Sequence, residues 1–208
     1  MYLPKHFSSQ DEKKIRKLIE ENAFITLLSY PKDSIPFINH LPVIFSPEPG
    51  ENEILLGHMA KRNPQWMHFK ENPQATIIVQ GPHTYITPSW YKSGRDVPTW
   101  NYVALHLQGH IQLVEKFSEQ TKVLKQLTSF FERPNPKPWE FELPEDLLDP
   151  AALTGAIISF KFKIEKVDAK FKLSQNRSKE DKDGVIDGLN NRTDEMSQKV
   201  RQLMIENQ

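Results

Sequence analysis

The chain has 208 residues, of which 27 are basic and 27 acidic, so its formal net charge at neutral pH is zero. Zero net charge disfavours a protein that grips nucleic acid or an anionic membrane by bulk charge. Cysteine is absent, which excludes disulfides, thiol catalysis and thiolate metal sites. The 16 prolines outnumber the 8 glycines, and all of them lie at or before Pro150. We therefore expect a proline-punctuated body followed by a proline-free tail.

No apolar stretch in the sequence approaches the roughly 20 residues that are needed to span a bilayer. The first residues, from Met1 to His6, lack both the apolar run and the small-residue cleavage site of a signal peptide. Together with the absence of cysteine, these features predict a cytoplasmic protein with no membrane partner.

Hydrophobic periodicity and turn residues predict a series of short helices and strands. In chain order, the predicted elements of the first half are a helix at 10–22, strands at 23–30, 35–45 and 53–58, a helix from 63 to 72, and strands at 75–80 and 84–87. Those of the second half are a loop at 88–98, a strand at 99–115, a helix capped by Ser118, an irregular segment at 134–150, a strand at 157–167 and two helices within 179–208. Because a parallel sheet needs regular strand–helix alternation, this order predicts a β-rich α+β fold built on an antiparallel barrel.

The segment 57–66, GHMAKRNPQW, joins a strand end to a helix start and carries two cations. Asn63 is placed to cap the helix and Pro64 to occupy its first turn, which leaves backbone N–H groups without a helical partner. Lys61 and Arg62 add full positive charge at the same place, so the segment fits a phosphate. The alternative is that both cations are solvated loop residues, as most charged side chains are.

A second segment of interest is 80–102, which is rich in aromatic residues. Trp90 and Tyr91 stand in a loop with proline and serine, where binding of a flat ligand or of a protein is as reasonable as core packing.

His40 and His58 lie at predicted strand ends without the spacing of a metal site, and a lone strand histidine is more often a hydrogen-bonded structural residue. The sequence therefore predicts no metal site and no catalytic residue.

The connection 172–178, KLSQNRS, follows the final predicted strand. Its asparagine and serines suit a turn, and Ser178 suits the cap of the next helix. Arg177 carries the planar donor set that binds a phosphate or a partner carboxylate. A plain strand-to-helix connection is the alternative.

Five motifs, taken in order along nearly the whole chain, resemble one family. They are NHLP (39–42), GHMAKRNPQW (57–66), QGPHTYITPSWY (80–91), VPTWNY (97–102) and KLSQNRS (172–178). In combination they resemble the PaiB-type FMN-binding negative transcriptional regulators. The resemblance implies an FMN-binding antiparallel split β-barrel, related to pyridoxamine-phosphate oxidase-like flavoproteins, that forms a homodimer. Many relatives have ARANP where this chain has AKRNP, a change that keeps the positive charge.

The resemblance also implies which residues contact FMN. The implied contacts are Lys61, Arg62 and Asn63 at the phosphate, with His58 from the same motif; Asn39, His40 and Leu41 beside the flavin ring; Gln80, Tyr85, Ser89, Trp90 and Tyr91 along the remaining wall; Trp100, Asn101 and Tyr102 from the dimer partner; and Gln175 and Arg177 from the tail motif. It further implies a split-barrel flavin-binding domain at 1–172 with peripheral helices. A helical C-terminal extension at 173–208 would pack on the barrel or on the dimer.

Two functions follow from the resemblance. The preferred one is a non-enzymatic, FMN-binding negative regulator of sporulation and degradative-enzyme genes, which acts on promoter DNA or through a regulatory protein. Zero net charge and the lack of an evident helix-turn-helix weigh against strong direct DNA binding. The alternative is an FMN-dependent oxidoreductase of the pyridoxamine-phosphate oxidase-like class whose regulatory effect is indirect, since flavin itself supplies hydride chemistry.

Overall fold

The computed structural model describes residues 1–32, 34–94, 97–144 and 149–207, and within these ranges it has six strands and six α-helices. The strands are β1 (Phe24–Ser29), β2 (Phe37–Phe45), β3 (Ile54–Ala60), β4 (Gln74–Ile86), β5 (Thr99–Val114) and β6 (Ile157–Lys172). The helices are α1 (Glu12–Glu21), α2 (Gln65–Glu71), α3 (Phe117–Glu132), α4 (Pro150–Ala156), α5 (Lys179–Asn190) and α6 (Glu195–Glu206). None of these helices is both long enough and apolar enough to cross a membrane.

The six strands form an antiparallel sheet in the order β1-β2-β3-β6-β5-β4, which closes into a barrel. In the ladder between β1 and β2, Phe24 pairs with Pro42 and Ser29 with Phe37. Strand β1 also pairs with β4, and β3 pairs with both β2 and β6. This topology confirms the predicted antiparallel barrel with flanking helices.

The chain divides into two compact units. The barrel unit is Ile19–Val79 with Leu107–Val167, and the tail unit is Met1–Leu18, Gln80–His106 and Asp168–Gln208. Strands β4, β5 and β6 contribute residues to both units. The domain division between residues 172 and 173 stays a prediction.

The core of the barrel unit is filled by alternate side chains of its strands. Leu55, Ile77, Phe160 and Phe162 are fully buried, as the period of two in a half-buried strand requires. Each such side chain contributes about 1.5–3 kcal/mol by leaving water. A Cβ at Gly57 would overlap the ring of Phe160 on the neighbouring strand, so only glycine fits opposite this ring.

Helix α3 covers the outer face of β2 and β3. Val123 and Leu127, one helical turn apart, pack against Ile44 and Leu56. The helix begins at Phe117 with no side-chain cap, so the predicted cap at Ser118 is wrong. Helix ends commonly differ by one or two residues from a sequence estimate, because local signals are shared by neighbouring positions.

The tail unit contains the two C-terminal helices that the sequence predicts. Val185 and Leu189 of α5 and Val200 of α6 are fully buried, which confirms the apolar faces expected from the sequence. Ser178 caps α5 as predicted, because its hydroxyl oxygen accepts a hydrogen bond from the backbone N–H of Asp181 at 3.2 Å.

Strand β4 runs without interruption through Gly81-Pro82, where the sequence predicts a break. The φ angle of proline lies within the range of extended backbone, so Pro82 removes a hydrogen-bond donor without ending the strand. Gly81 permits a close approach, because a Cβ there would lie 2.9 Å from Leu18 and 3.2 Å from Val103. The prediction of two short strands was therefore wrong.

Strand β6 extends to Lys172, beyond the predicted end at residue 167. The charge of Lys170 interrupts the apolar alternation of the sequence, yet this residue is only 7% exposed. Its Nζ donates to the carbonyl oxygen of Tyr2 at 3.1 Å and lies 5.3 Å from the ring centre of Tyr102. These partners are distant in sequence, so the pattern within the strand does not reveal them.

Helix α4 forms immediately after the segment that the sequence predicts to be irregular. Its start follows ordinary rules, since Asp149 Oδ1 accepts from the backbone N–H of Ala151 at 3.0 Å and Pro150 occupies the first turn. The high proline content of residues 134–150 hides this helix start in the sequence, because prolines also mark loops. The parts of the predicted loops at 95–96 and 145–148 lie outside the described residues.

Candidate functional site

The turn that follows β3 holds the two cations predicted to bind a phosphate. The backbone N–H of Lys61 donates to the carbonyl oxygen of Ala156 at 2.9 Å, and the Lys61 ammonium lies 4.1 Å from the ring centre of Trp66. The indole N–H of Trp66 donates back to the carbonyl oxygen of Lys61 at 2.8 Å. Neither Lys61 nor Arg62 forms an ion pair with any described residue. Both charges are therefore available to an anionic ligand.

Gln65, which the sequence analysis missed, organises the polar contacts behind this turn. Its fully buried side chain donates from Nε2 to the carbonyl oxygens of Leu27 at 3.2 Å and Phe37 at 3.1 Å. Its Oε1 accepts from Asn39 Nδ2 at 2.9 Å. The Asn63 side chain accepts from the Gln65 backbone N–H at 3.0 Å. Helix α2 begins at Gln65 with Pro64 at its N-cap and no side-chain cap, so the predicted cap at Asn63 is wrong by one position. These bonds fix β1, β2 and the start of α2 to one another.

Replacing Gln65 by methionine leaves the Leu27 and Phe37 carbonyl groups without this buried donor. Each lost bond costs about 1 kcal/mol, so we expect the free energy of unfolding to fall by about 2 kcal/mol. Urea denaturation measures the change. The matched control Gln74→Met, at the exposed start of β4, should stay within about 0.5 kcal/mol of the wild type. Equal losses in the two variants would contradict the assignment.

Asn39, His40 and Leu41 lie along β2 as the NHLP motif requires. Asn39 Nδ2 reaches Asn63 Oδ1 at 3.3 Å, so Asn39 is joined directly to the cationic turn. Successive strand residues face opposite sides, which puts His40 on the other face of β2. His40 is exposed there, with Nδ1 3.1 Å from the hydroxyl of Thr26. The half-buried Leu41 returns to the face of Asn39.

His58 carries a buried ring nitrogen that no described residue satisfies. It pairs across the β3–β6 ladder with Ser159, whose buried hydroxyl is also without a partner among the described residues. Buried polar atoms are nearly always hydrogen-bonded, so such a pair marks a place where a polar group of a ligand or water is expected. Burial lowers the pKa of His58, which keeps its ring neutral at neutral pH.

We expect acid to destabilise the barrel unit partly through His58. Burial holds the pKa of His58 below its ordinary value of 6.5 in the folded protein, so the unfolded chain binds the proton more readily. Stability is therefore full above pH 6.5 and falls as the pH drops toward the lowered pKa. His58→Gln should show a smaller drop in Tm between about pH 8 and pH 5. Burial also lowers the pKa of His106, so His106 contributes the same acid-induced loss of stability in the wild type and in the variant. Identical pH profiles would refute the contribution of His58.

In the tail unit, Trp90 is held against one face of α5. A Cβ at Gly184 would overlap the carbonyl oxygen of Trp90, and a Cβ at Gly188 would lie 2.5 Å or less from three atoms of the indole ring. The spacing of four puts both glycines on one side of the helix. The backbone N–H of Ser93 donates to Asp181 Oδ1 at 2.9 Å, which holds the pKa of Asp181 below its ordinary value. The contacts of Trp90 and Ser93 thus hold the loop at 88–94 against α5.

Two predicted contacts from distant motifs meet in this unit. The guanidinium of Arg177 lies 5.2 Å from the ring centre of the buried Tyr91. Ser89 is exposed, and its backbone N–H donates to the hydroxyl of Thr87 at 3.4 Å. The structure therefore places the tail motif beside the aromatic loop.

Tyr85 and Trp100 form an exposed aromatic pair on β4 and β5. Their ring centres are 6.3 Å apart in an edge-to-face contact, and the residues are 40% and 51% exposed. Gln80 is exposed on β4, whereas Tyr102 is half-buried below the Lys170 ammonium. An exposed pair of this kind suits a flat ligand or a second protein chain.

Asn101 and Gln175 are engaged in hydrogen bonds within the tail unit. Asn101 is 1% exposed, and its Nδ2 donates to the hydroxyl of Ser174 at 2.9 Å. Gln175 Oε1 accepts from the Leu173 backbone N–H at 2.7 Å, while its Nε2 donates to the carbonyl oxygen of Phe171 at 2.5 Å. Both side chains brace the turn that follows β6.

The predicted residues thus fall into two groups. Those in the barrel unit are Asn39, His40, Leu41, His58, Lys61, Arg62 and Asn63, and those in the tail unit are Gln80, Tyr85, Ser89, Trp90, Tyr91, Trp100, Asn101, Tyr102, Gln175 and Arg177. Within each group, direct contacts join Asn39 to Asn63, and Tyr91 to Arg177. The signal for the missed Gln65 is its place inside the GHMAKRNPQW motif, where a polar residue stands between Pro64 and Trp66.

The chemistry of the barrel-unit group fits the phosphate of FMN. Two cations without an ion-pair partner among the described residues lie beside Asn63. The ring nitrogen of His58, which no described residue satisfies, belongs to a residue three positions before Lys61. Charge-assisted bonds from lysine and arginine are the usual means of holding a phosphate. Within the described ranges, no group of three or more histidine, aspartate or glutamate side chains is placed to hold a metal ion.

Comparison with known proteins shows the family of the chain. Residues 1–166 match the model of the family described as "Putative FMN-binding domain". The chain is 36% identical over 209 aligned residues to "Protease synthase and sporulation protein PAI 2" of Bacillus subtilis, covering 98% of this chain and 96% of that protein.

Solved structures share the fold at low sequence identity. The FAD and heme binding protein from Mycobacterium smegmatis has a TM-score of 0.60 at 14% identity, covering 79% of this chain and 73% of its own. The flavocytochrome Anf3 from Azotobacter vinelandii has a TM-score of 0.60 at 11% identity, covering 79% and 69%. With its split-barrel fold, its family match and its PAI 2 relative, the chain belongs to the PaiB-type family of FMN-binding proteins, and FMN is its cofactor.

Proposed function

We propose that this protein is an FMN-binding negative regulator of sporulation and degradative-enzyme genes. The observation that carries the proposal is the 36% identity to the PAI 2 sporulation protein over 98% of the chain. Lys61 and Arg62 after β3, which have no ion-pair partner in the part of the chain that the structure describes, support the flavin part of the proposal. They provide the positive charge that the phosphate of FMN needs.

The chain's own residues then have defined tasks. Lys61 and Arg62 bind the phosphate, and Asn63 fixes the turn through its bonds to Asn39 and Gln65. The neutral His58 ring offers a hydrogen bond without adding charge. The bound flavin supplies a redox centre that lets a regulator respond to the state of the cell.

The visible spectrum of the purified protein tests the cofactor. We expect the absorption bands of bound FMN, either at once or after incubation with FMN and removal of the excess. A colourless preparation that takes up no FMN would contradict the flavin part of the proposal.

We propose that the protein works as a homodimer. On the β1–β2 ladder, Phe24 is 72% and Ile38 54% exposed, and the ring of Phe24 stacks on His40 with centres 6.2 Å apart. Both residues lie on the same face of this ladder, on either side of the pair formed by Thr26 and His40. Apolar groups exposed on one face of a sheet favour burial against a second copy. We expect a species near twice 24.2 kDa in sedimentation or light scattering at micromolar concentration. A monomer would contradict the proposal.

We propose that regulation does not depend on direct binding of DNA by helices α5 and α6. The two helices are joined by residues 191–194, a spacing that a helix-turn-helix also has. However, residues 179–206 carry five basic and seven acidic side chains, a net charge of −2, which repels the phosphate backbone. We expect no retardation of promoter DNA at low salt. A complex that weakens as salt rises would overturn this view.

A flavin-dependent oxidoreductase is the second candidate. FMN is a redox cofactor, and the flavin and heme proteins named above share the fold at a TM-score of 0.60. Anaerobic mixing with NADH or NADPH separates the two functions. Bleaching of the flavin absorption by either nucleotide supports the oxidoreductase, while a flavin that stays oxidised with both supports the regulator.

A further inference from the structure

A small polar cavity, partly open to solvent, lies beside the turn after β6 within the tail unit. The cavity has a volume of about 120 Å³, and its polar lining includes Thr99, Lys172, Asn176 and Arg177. That volume is the liquid volume of roughly four water molecules, which accommodates a carboxylate or a tetrahedral oxyanion. None of the described residues that line it is acidic.

Lys172 provides the main donor of this cavity. Its Nζ donates to the hydroxyl of Thr99 at 2.5 Å and to the carbonyl oxygen of Trp100 at 2.6 Å. An ammonium group has three N–H donors, so one remains for a ligand. Burial and the nearby charges of Lys170 and Arg177 lower the pKa of Lys172. The charge of Lys172 is thus partly buried on a wall without an acidic lining residue, and an anion would stabilise it.

The backbone of the same turn is held in an uncommon conformation. Ser174 has a φ of 64°, in the left-handed region that favours glycine. The hydrogen bond from Asn101 and the two bonds of the Gln175 side chain hold it there. Backbone held against its preference by the surrounding structure occurs mainly at ligand sites and switches. The rigid turn keeps Lys172 and Asn176 on the cavity wall.

We propose that this cavity binds a small oxyanion, a phosphate or a carboxylate, through the Lys172 ammonium and the Asn176 side-chain amide. The positive potential of Arg177 adds to the attraction. The ligand is free in solution or is the acidic group of a second small molecule, and it is separate from the FMN phosphate assigned to Lys61 and Arg62. The proposal adds a second ligand to the proposed function, and it is tested independently of flavin binding.

Isothermal titration of the FMN-loaded protein with inorganic phosphate, and separately with acetate, tests the site at constant ionic strength. We expect saturable binding of at least one anion, and the tighter of the two identifies the class. Lys172→Gln should weaken binding at least tenfold. Asn176→Asp, which puts a negative charge at an exposed position of the cavity wall, should weaken it as much. Asn176→Asp retains the hydrogen bonds of Lys172 to Thr99 and Trp100. It therefore tests the site even if Lys172→Gln impairs folding.

Two matched variants control for charge in the tail unit. Lys199→Gln removes an exposed cation from α6, and Asn191→Asp adds a carboxylate after α5. Both should bind the anion as the wild type does. Visible spectra should show that Lys172→Gln and Asn176→Asp retain FMN, which separates this site from the flavin site.

Three results would overturn the proposal. The first is the absence of saturable binding of either anion. The second is equal anion affinity in the wild type, Lys172→Gln and Asn176→Asp. The third is phosphate binding that occurs only in flavin-free protein and disappears on loading with FMN, because the phosphate would then occupy the position of the flavin's own phosphate group.

Discussion

The double replacement Lys61→Ala with Arg62→Ala is expected to weaken FMN binding by at least 100-fold. A hydrogen bond to a charged group contributes about 1.5–3 kcal/mol, so the loss of two reaches about 3 kcal/mol or more. Each 1.4 kcal/mol corresponds to about a tenfold change in Kd. Quenching of flavin fluorescence during titration of flavin-free protein measures the constant.

Two controls show whether the effect belongs to the phosphate. Riboflavin lacks the phosphate group, so its affinity should be the same in wild type and double variant. The matched variant Lys125→Ala with Arg133→Ala removes one cation from α3 and one directly after it, and it should leave FMN affinity within about twofold, as surface substitutions normally do. Unchanged FMN affinity in the Lys61 and Arg62 variant would show that the phosphate lies elsewhere.

Replacing Gly188 by alanine is expected to destabilise the tail unit by up to about 2 kcal/mol. The new methyl group would overlap three atoms of the Trp90 indole ring, and overpacking of this kind costs about 1–3 kcal/mol. Alanine regains up to about 1 kcal/mol in helix propensity, which the clash outweighs. Thermal unfolding followed by circular dichroism gives the size of the loss.

A double-mutant cycle isolates the contact between Gly188 and Trp90. In a Trp90→Ala background the ring is gone, so Gly188→Ala should be neutral or stabilising. The coupling energy should equal the cost of the clash, about 1–3 kcal/mol. Gly155→Ala in α4 is the matched helical control, because no atom lies within 4 Å of its added Cβ. If Gly188→Ala behaves like Gly155→Ala in the wild-type background, Trp90 does not rest on this face of α5.

Local patterns in the sequence predicted most of the elements. The alternation of Phe160 and Phe162 with lysines marks a half-buried strand, and that alternation survives in β6 because these side chains fill the barrel core. The apolar spacing of Val185 and Leu189 likewise predicts α5. The break predicted at Gly81-Pro82 failed because both residues fit extended backbone, and nothing local showed that the strand continues.

The candidate site was predicted in part. Lys61, Arg62 and Asn63 follow one another in the chain, so a single motif shows that charge gathers after β3. Gln65 was missed because its partners, Leu27, Phe37 and Asn39, come from two other strands. Its place in the GHMAKRNPQW motif marks Gln65 as a candidate, but the motif does not show that the side chain is buried.

The sequence by itself determined the family, the antiparallel barrel and the place of the cationic turn, because each depends on residues that are neighbours in the chain. Only the tertiary structure decided which polar side chains form hydrogen bonds that brace the fold and which line a cavity. The side chains of Gln175 and Asn101 form hydrogen bonds at the turn after β6. The Lys172 ammonium is held on the cavity wall by its hydrogen bonds to Thr99 and Trp100. The physical reason is that groups distant in sequence decide whether a polar atom has a hydrogen-bond partner. Burial decides how much free energy an atom without a partner costs.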